Sequence, residues 1–179
     1  DLDAAMRLAD RLPDYLIFGM APSSGLLSPT ERQVMLDAMS NGMSVVNGLH
    51  EFMHDDGEFV AAAAAYGVEM IDVRRPPAKT DLRMFTGRID TVTCPRIAVL
   101  GTDSTLGKRT TATILTRELR RQGVNAVMVS TGQTGLIQGA RYGIALDAIP
   151  CQFCSGEVES TVVEAFEAED PDVIVIEGQ

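Results

Sequence analysis

The sequence contains no tryptophan, only 5% aromatic residues and only two histidines among its 179 residues. No apolar run approaches the ~20 residues that a membrane-spanning helix needs, and no basic-then-apolar leader opens the chain. The mean hydropathy of +0.07 and the 45% hydrophobic content exclude disordered and fibrous proteins. We therefore expect globular domains with no membrane partner.

Positive charge is scarce, since the sequence has 15 Lys and Arg but 25 Asp and Glu, which gives a net charge of −10 and a pI near 4.6. A non-specific nucleic-acid binder needs a basic surface, so no nucleic-acid partner is expected. The one dense basic cluster, 117–121, lies late in a predicted helix, where it suits the helix dipole. Three cysteines make no disulfide framework, which indicates a reducing cytoplasm.

The first half of the chain alternates predicted strands and helices. Strands are expected at 15–20, 43–47 and 68–73. Ser28-Pro29-Thr30-Glu31 has the pattern of a capping box and opens a helix that ends at Asn41-Gly42. A second helix contains the alanine run 61–65. This β-α-β-α-β order predicts a parallel sheet covered by helices, in a Rossmann-like domain over residues 1–80.

A second α/β series follows a proline-containing stretch, from which we predict a linker at 81–94 and a P-loop NTPase-like domain at 95–179. Strands are expected at 96–100, 124–129 and 173–176, with extended chain at 145–149. Helices are expected at 108–121 and at 157–168, the second capped by Ser155-Gly156. Because the chain lacks an initiator Met and stops just after a strand, we expect it to be part of a longer protein, with the second domain truncated.

The strongest local signal is the segment from Gly101 to Thr111, GTDSTLGKRTT, between a predicted strand and a predicted helix. Glycine and small residues let backbone N–H groups form an anion cradle, and Lys108 adds a full charge for phosphate. The predicted cofactor-binding residues are Gly101, Thr102, Asp103, Ser104, Thr105, Gly107, Lys108, Arg109, Thr110 and Thr111.

This loop departs from the usual P-loop in two ways. Five residues instead of four separate its glycines, as in proteins resembling dethiobiotin synthetase, and Arg109 stands where Ser or Thr normally holds Mg²⁺. If Mg-ATP is bound, Thr110 and the strand-end carboxylate Glu177 are the expected metal ligands; otherwise no metal is expected. Arg109 favours a diphosphate that is held but not broken, as in coenzyme A or a dinucleotide.

Further candidates follow other strands. The loop Thr131-Gly132-Gln133-Thr134 comes directly after one, and Arg74 after another, which makes them candidate substrate contacts. The loop 21–25 follows the first predicted strand and is a candidate substrate contact for the same reason. Lys108, Glu177 and Asp147 are the candidate catalytic residues. Asp147 is either a base or a solvated carboxylate.

Two short motifs have alternative interpretations. The letters His50-Glu51-Phe52-Met53-His54 match a zinc-protease motif if they lie on a helix, or mark a strand-to-helix junction near a ligand. No third ligand stands out downstream, which favours the junction. Cys151 and Cys154 form a C-x-x-C, which is a redox pair, half a zinc site or two small packed side chains.

Taken in order, the segments GMAPSSGLLSP, VVNGLHEF, DVRRPP, GTDSTLGKRTT, STGQTG, ALDAI, SGEVES and VIVIEGQ resemble the D-glutamate N-acetyltransferase family over nearly the whole chain. The resemblance implies a Rossmann-like domain followed by a P-loop-type domain, and acetyl transfer from acetyl-CoA to the amine of a D-amino acid, chiefly D-glutamate. His54 and the C-x-x-C lie outside the shared pattern.

We therefore expect an acetyl-CoA-dependent N-acetyltransferase, cytoplasmic and homo-oligomeric, with an amino-acid substrate. Glu177 or Asp147 is the expected base, and Arg74, Gln133 and Thr134 are expected to contact the acceptor. The alternatives are an ATP/Mg-dependent ligase or kinase of the dethiobiotin synthetase type, and a non-catalytic nucleotide-binding protein.

Overall fold

A computed structural model describes residues 2–20, 22 and 26–178. The chain divides into two compact units, Asp1–Arg75 and Pro76–Gln179. Each unit contains one parallel β-sheet with helices packed on it, so the predicted α/β class is confirmed. None of the helices in the described ranges is both long and apolar enough to cross a bilayer.

The first unit is a three-stranded parallel sheet in the order β1-β2-β3. Its elements are α1 (Leu2–Leu8), β1 (Tyr15–Phe18), α2 (Pro29–Ser40), β2 (Ser44–Asn47), a 3₁₀ helix (Met53–Asp55), α3 (Gly57–Tyr66) and β3 (Met70–Asp72). Methionine dominates its core, in which Met35, Met39, Met43, Met53 and Phe59 are all buried. Unbranched methionine side chains fill the irregular space between a short sheet and its helices.

Helix α2 begins where the sequence predicts it. The Ser28 backbone N–H donates to Glu31 Oε2 at 2.7 Å, and the Glu31 N–H donates to Ser28 Oγ at 3.3 Å, which together form the expected capping box. Helix α3 is capped by Asp56, whose carboxylate accepts from the Glu58 N–H, and ends at Gly67 with φ +66°. These local signals explain why the element order of this unit is readable from sequence.

The second unit has a four-stranded parallel sheet in the order β4-β7-β5-β6. Its elements are a 3₁₀ helix (Arg88–Thr91), β4 (Arg96–Val99), α4 (Lys108–Arg121), β5 (Ala126–Ser130), α5 (Gln133–Ile137), β6 (Tyr142–Gly143), a 3₁₀ helix (Leu146–Ala148), α6 (Cys151–Glu169) and β7 (Val173–Glu177). β7 lies between β4 and β5, and its Val173, Ile174 and Val175 are fully or almost fully buried.

Residues 81–94, predicted as a linker, pack against α6 as part of the second unit. Two buried carboxylates on α6 hold them. Glu157 accepts from the Arg83 backbone N–H at 2.6 Å and from its guanidinium at 2.8 Å. Glu159 accepts from the N–H and hydroxyl of Thr86 and from the Ile89 N–H. A stretch without periodicity is thus ordered by acceptors 70 to 74 residues away in sequence.

Helix α6 begins at Cys151, earlier than predicted, and passes straight through Gly156. A Cβ at Gly156 would lie 2.2 Å from the Arg83 carbonyl oxygen and 2.3 Å from the Met84 carbonyl carbon. This glycine therefore permits a close approach of the 83–85 backbone to the helix, and does not cap it. Residues 145–149, predicted as extended, instead contain the 3₁₀ helix Leu146–Ala148, because β6 ends at Gly143.

Gly156→Ala should lower the free energy of unfolding by about 1–3 kcal/mol, because the new methyl group overlaps backbone atoms that cannot rotate away. Urea unfolding followed by circular dichroism measures the change. Ser155→Ala, at the exposed neighbouring position, is the control and should leave the midpoint nearly unchanged. Equal midpoints for wild type and Gly156→Ala would contradict the close packing of 83–85 on α6.

Glu159 should make stability depend on acidity. Burial raises the pKa of its carboxyl, but the hydrogen bonds from the Thr86 and Ile89 backbone and the Thr86 hydroxyl outweigh it, so the pKa lies below the ordinary value. A lowered pKa contributes stability above the unfolded-state pKa and loses it as pH falls through the folded-state pKa. In urea unfolding, the deficit of Glu159→Gln should be largest near neutral pH and shrink below about pH 4. Glu164→Gln, at an exposed position of α6, should show no such trend.

Candidate functional site

The carboxyl ends of β4, β5 and β7 lie side by side in the second sheet, because all its strands are parallel. β4 ends at Val99 just before the predicted phosphate loop, β5 ends at Ser130, and β7 ends at Glu177. In open parallel sheets, ligands bind in the crevice outside this edge. The loops that follow these three strands are therefore the first place to look for a site.

The phosphate loop turns directly into α4, whose first helical residue is Lys108. Two residues take left-handed backbone conformations, Thr105 with φ +55° and Gly107 with φ +91°. Gly107 is the N-cap residue and offers no side-chain acceptor for the first N–H groups of α4. The start of this 14-residue helix thus presents backbone donors and partial positive charge toward the loop.

Lys108 folds back over the loop, and its Nζ donates to the Asp103 carbonyl oxygen at 2.7 Å. Its stem passes close to two glycines, since a Cβ at Gly101 would lie 3.3 Å from Lys108 Cδ and one at Gly178 would lie 3.4 Å from it. The ammonium is therefore positioned over the concave side of the loop. Arg109 is half-buried beside it, which adds a second cation.

A cavity of about 440 Å³ opens where the phosphate loop faces the ends of β5 and β7. Ten of the predicted site residues line it, together with Leu106 and Gly178: Ser104, Thr105, Gly107, Lys108, Arg109, Thr110, Gly132, Gln133, Thr134 and Glu177. Two cations, a helix N-terminus and several hydroxyls thus share a single concavity. Such a donor set matches a diphosphate.

Glu177 is fixed at the floor of this cavity by the loop that follows β5. Ser130 is buried, and its hydroxyl donates to Glu177 Oε2 at 2.5 Å, while the Thr131 hydroxyl donates to the Glu177 backbone oxygen at 2.9 Å. Gly135 makes this possible, since a Cβ there would lie 2.0 Å from Ser130 Oγ and 2.8 Å from Glu177 Oε2. Ser130 was not predicted as a site residue, although it directly follows a strand that the sequence predicts.

The remaining predicted residues lie outside the lining of this cavity. Asp147 is exposed on the 3₁₀ helix Leu146–Ala148, and Arg74 belongs to the first unit. Thr131 is buried behind the lining. The other four belong to the phosphate loop or to α4 but contribute nothing to the wall: Gly101, Thr102, Asp103 and Thr111. Of the predicted loop 21–25, only Pro22 is among the described residues.

The first unit gathers polar side chains at the carboxyl edge of its own sheet. Asp72, the last residue of β3, is buried, and its carboxylate accepts from Asn47 Nδ2 at 2.8 Å and from His54 Nδ1 at 2.7 Å. It also accepts from the backbone N–H groups of Met53 and His54. Burial raises the pKa of Asp72, but these hydrogen bonds outweigh it, so the pKa is below the ordinary value.

The segment with the zinc-protease letters does not form the helix that such a motif needs. His50 lies in a bend, and only Met53–Asp55 is helical, as a 3₁₀ turn. His50 Nε2 accepts from Arg74, His54 contacts Asp72, and Glu51 accepts from the Leu27 N–H. No group of three or more potential metal ligands exists within residues 2–20, 22 and 26–178. The segment is the strand-to-helix junction of the alternative interpretation.

All three cysteines are free thiols. Cys151 and Cys154 lie in the first turn of α6, and burial raises the pKa of the Cys154 thiol, as it does that of Cys94. A raised pKa leaves less thiolate, which is the nucleophilic form. Cys151 is exposed and Cys154 is half-buried, so the raised pKa of Cys154, and not close packing of the pair, argues against a redox role.

Comparison with known proteins identifies the family. Residues 83–179 match the model of a "Domain of unknown function (DUF1611_C) P-loop domain", and residues 1–76 match a "Domain of unknown function (DUF1611_N) Rossmann-like domain". The chain belongs to the DUF1611 family. The first matched range ends one residue past the boundary between the two compact units, and the second begins seven residues later, at residue 83. The resemblance inferred from sequence is confirmed.

Two curated relatives of this DUF1611 chain carry the name D-glutamate N-acetyltransferase. The protein of a Pseudoalteromonas species is 30% identical over 164 residues, which is 91% of this chain and 47% of the relative. That of Tritonibacter scottomollicae is 32% identical over 145 residues, which is 80% of this chain and 42% of the relative. The chain thus spans about half the length of the curated relatives it matches.

A solved structure has the same fold. The crystal structure of a DUF1611 family protein from Anabaena variabilis aligns with a TM-score of 0.88 at 32% identity, over 100% of this chain and 50% of that chain. The Rossmann-like and P-loop-type architecture is therefore common to the family.

Ser130→Ala should lower the free energy of unfolding of this DUF1611 protein by about 1–3 kcal/mol, because it leaves a buried carboxylate oxygen of Glu177 without its donor. Chemical unfolding at neutral pH measures the change. Ser104→Ala removes a hydroxyl from the exposed part of the phosphate loop and is the control, with an expected change below about 0.5 kcal/mol. Similar losses in the two variants would mean that the Ser130–Glu177 bond adds nothing specific.

Proposed function

We propose that this DUF1611 protein is an N-acetyltransferase that moves an acetyl group from acetyl-CoA to the amine of a D-amino acid, with D-glutamate as the expected acceptor. The observation that carries the proposal is the 440 Å³ cavity, where Lys108, Arg109 and the start of α4 converge. The names of the two curated relatives support the reaction and the acceptor. The free thiols fit a cytoplasmic protein.

The residues of the cavity fit the diphosphate of coenzyme A. Lys108 supplies a mobile ammonium, Arg109 a guanidinium, and the α4 N-terminus backbone donors, so these three parts of one anion site lie together. The left-handed backbone at Thr105 and Gly107 lets the loop turn sharply into α4. Binding the diphosphate firmly orients the thioester without any need to break a phosphate bond.

The transfer itself needs little from the protein beyond position and proton handling. The neutral amine nitrogen of the acceptor attacks the thioester carbonyl carbon and forms the new carbon–nitrogen bond, while the carbon–sulfur bond breaks. The nitrogen gives up one proton and the departing thiolate takes one up, so the step balances. Donors near the carbonyl oxygen stabilise its developing charge. Gln133 and Thr134 line the cavity and are proposed contacts of the acceptor. Arg74 belongs to the first unit, and its contact with an acceptor carboxylate stays a prediction from the sequence. Of the two bases expected from sequence, only Glu177 lines the cavity.

A second candidate function is an ATP/Mg-dependent ligase or kinase. It is favoured by one observation, that Thr110 and Glu177 line the same cavity, as a hydroxyl and a carboxylate that share Mg²⁺ would. Against it, Oε2 of Glu177 already accepts from Ser130, and the position after the lysine is Arg109, which cannot bind a metal.

Acetyl transfer should be measured on the intact protein with acetyl-CoA and D-glutamate, with L-glutamate as the stereochemical comparison. Lys108→Met should raise the KM for acetyl-CoA at least about tenfold, because one full charge on the diphosphate is lost. S-acetyl-pantetheine, which lacks the diphosphate, should be used equally well by wild type and variant. Lys79→Met, at an exposed lysine outside the cavity, is the matched control.

The competing functions give different results. The ligase or kinase would be the better proposal if the protein turned over Mg-ATP, and if Mg-ATP but not acetyl-CoA raised its melting temperature. Stabilisation by a nucleotide with no turnover of any kind would leave a binding protein. If Lys108→Met raised the KM for acetyl-CoA and the KM for S-acetyl-pantetheine by the same factor, the proposed diphosphate cradle would be refuted.

A further inference from the structure

A second cavity, of about 980 Å³, opens in the second unit beside the phosphate-loop cavity. Helix α4 lines the phosphate-loop cavity with its first three residues, 108–110, and the second cavity with residues from Thr113 onward. Thr134 of α5 lines the first cavity, and the next residue, Gly135, lines the second. The two cavities are therefore neighbours along the same helix. We call the second one the arginine cavity.

Positive charge is concentrated in the arginine cavity. Its lining contains four arginines, which are Arg117, Arg120, Arg121 and Arg141, and among the described residues Glu169 is the one carboxylate that joins them. The whole chain, by contrast, has a net charge of −10. A concave surface with this excess of guanidinium groups attracts an anion despite the charge of the rest of the molecule.

The dipole of α4 accounts for only part of this cluster. Arg117, Arg120 and Arg121 are three or four residues apart, so they share one face of the helix near its C-terminus, where cations are favourable. Arg141 comes from a different part of the chain, directly before β6, and the helix dipole does not explain its place. The cavity thus receives guanidinium groups from two separate elements, which is how proteins surround a phosphate.

Donors of the three helical arginines remain for a ligand. Arg117 makes no hydrogen bond or ion pair with any residue that the structure describes. Arg120 donates through Nε to the Ala126 carbonyl oxygen at 2.7 Å, which fixes its stem and leaves its terminal nitrogens. Arg121 pairs with Glu118 at 2.9 Å, but both side chains are exposed, and such a surface pair is weak enough to yield to a ligand.

The one carboxylate of the lining is already neutralised. Glu169 Oε1 accepts from the Tyr142 hydroxyl at 2.8 Å and from the guanidinium of Arg141. The guanidinium of Arg141 also lies 5.5 Å from the centre of the Tyr142 ring, so two contacts orient it. Glu169 therefore positions a cation at the cavity and does little to cancel the charge of the other three arginines.

The rest of the lining suits a small molecule with an apolar part. Val124, Val127 and Met128 supply apolar surface, while Thr113 and Thr116 supply hydroxyl groups. The volume is that of a cavity for a nucleotide-sized ligand, at the upper end of the range for small-molecule sites. A concave site of this kind favours a compact anion with a ring or chain attached over an extended acidic macromolecule.

We propose that the arginine cavity binds a phosphomonoester group, which pairs with the guanidinium groups of Arg117, Arg120 and Arg141. A phosphomonoester carries nearly two negative charges at neutral pH and offers three acceptor oxygens. Guanidinium groups match these oxygens with paired N–H donors, so several arginines can contact one phosphate at once. This site is distinct from the phosphate loop, whose cations are Lys108 and Arg109.

Two sources can supply the group. One is acetyl-CoA itself, which carries a phosphomonoester on its ribose beyond the diphosphate, and this source rests on the proposed function. Arg117 lies two helical turns beyond Thr110, or ~10 Å along the axis of α4. Long helical side chains lean toward the N-terminus, so Arg117 is expected to reach back toward the phosphate loop. The other source is a separate phosphorylated molecule that binds on its own.

The first test uses inorganic phosphate and needs no turnover. In proton–nitrogen-15 spectra of the intact protein, the Nε resonances of Arg117 and Arg141, assigned with Arg117→Gln and Arg141→Gln, should shift as phosphate is added. The shifts should persist in Lys108→Met, because the phosphate loop is a different site. Arg88, which pairs with Glu167 outside the cavity, is the internal control and should not shift. Sodium chloride at equal ionic strength is the second control.

The second test identifies the source. Dissociation constants of coenzyme A and of 3′-dephospho-coenzyme A are measured by calorimetry. If the donor supplies the phosphomonoester, wild type should bind coenzyme A at least about tenfold more tightly than the dephospho form, and Arg117→Gln should remove that difference. Arg88→Gln, a matched change at an exposed ion pair, should retain it.

The outcomes separate this inference from the proposed function. Phosphate shifts at Arg117 and Arg141 support the arginine cavity, and equal affinities of wild type for the two coenzymes then assign it to a separate phosphorylated molecule. Absence of those shifts, or shifts of equal size with chloride, overturns it. A protein that binds neither coenzyme but shows the phosphate shifts refutes the acetyltransferase proposal and leaves the arginine cavity standing.

Discussion

The hydrogen bond from Ser130 to Glu177 determines how the second unit presents its cavity. It joins the ends of β5 and β7 at 2.5 Å, and it exists only because Gly135 has no side chain to fill the space that the hydroxyl occupies. Gly178, which follows β7, must also lack a side chain, since a Cβ there would lie 2.5 Å from the Val99 carbonyl oxygen at the end of β4. Three strand ends can thus approach closely enough for their loops to share a single concavity.

Buried carboxylates connect distant segments in both units. Asp72 binds the turn after β2, and Glu157 and Glu159 bind residues 83–89, in each case through backbone N–H groups as well as side chains. A carboxylate bonded to two or three N–H groups replaces the secondary-structure partners that an irregular segment lacks. Part of the large acidic content is therefore structural, and it organises irregular segments of both units.

Local signals explain what was predictable from the sequence. The capping box at Ser28 and the loop-to-helix transition at Lys108 are encoded within a few residues, so α2 and α4 begin where they were expected. The grouping of Lys108, Gln133 and Glu177 around one cavity also follows from the rule that parallel strands end at a common edge. Sequence order was enough for these features, because each depends on its own neighbours or on strand direction.

The features that were missed depend on contacts between residues far apart in the chain. Nothing near Gly156 reveals that the 83–85 backbone will lie against it, so the glycine was taken for a cap. Likewise, the pairing of Asp72 with His54 joins residues 18 positions apart through the register of β2 and β3. The zinc-protease letters at 50–54 would need a helix, but contacts of His50, Glu51 and His54 with Arg74, Leu27 and Asp72 hold the segment in the junction that the sequence analysis favoured.

Arg109 occupies the position at which a P-loop that hydrolyses a nucleotide has the Ser or Thr that binds Mg²⁺. Hydrolysis of a nucleoside triphosphate requires a divalent ion close to the lysine, and a guanidinium in that neighbourhood repels the ion while pairing with the phosphate itself. Under the proposed function, Lys108 and Arg109 would pair with the diphosphate and leave both phosphorus atoms unreacted. A site of this kind suits a ligand that is held by its diphosphate and reacts elsewhere, which is the division of labour that a thioester donor demands.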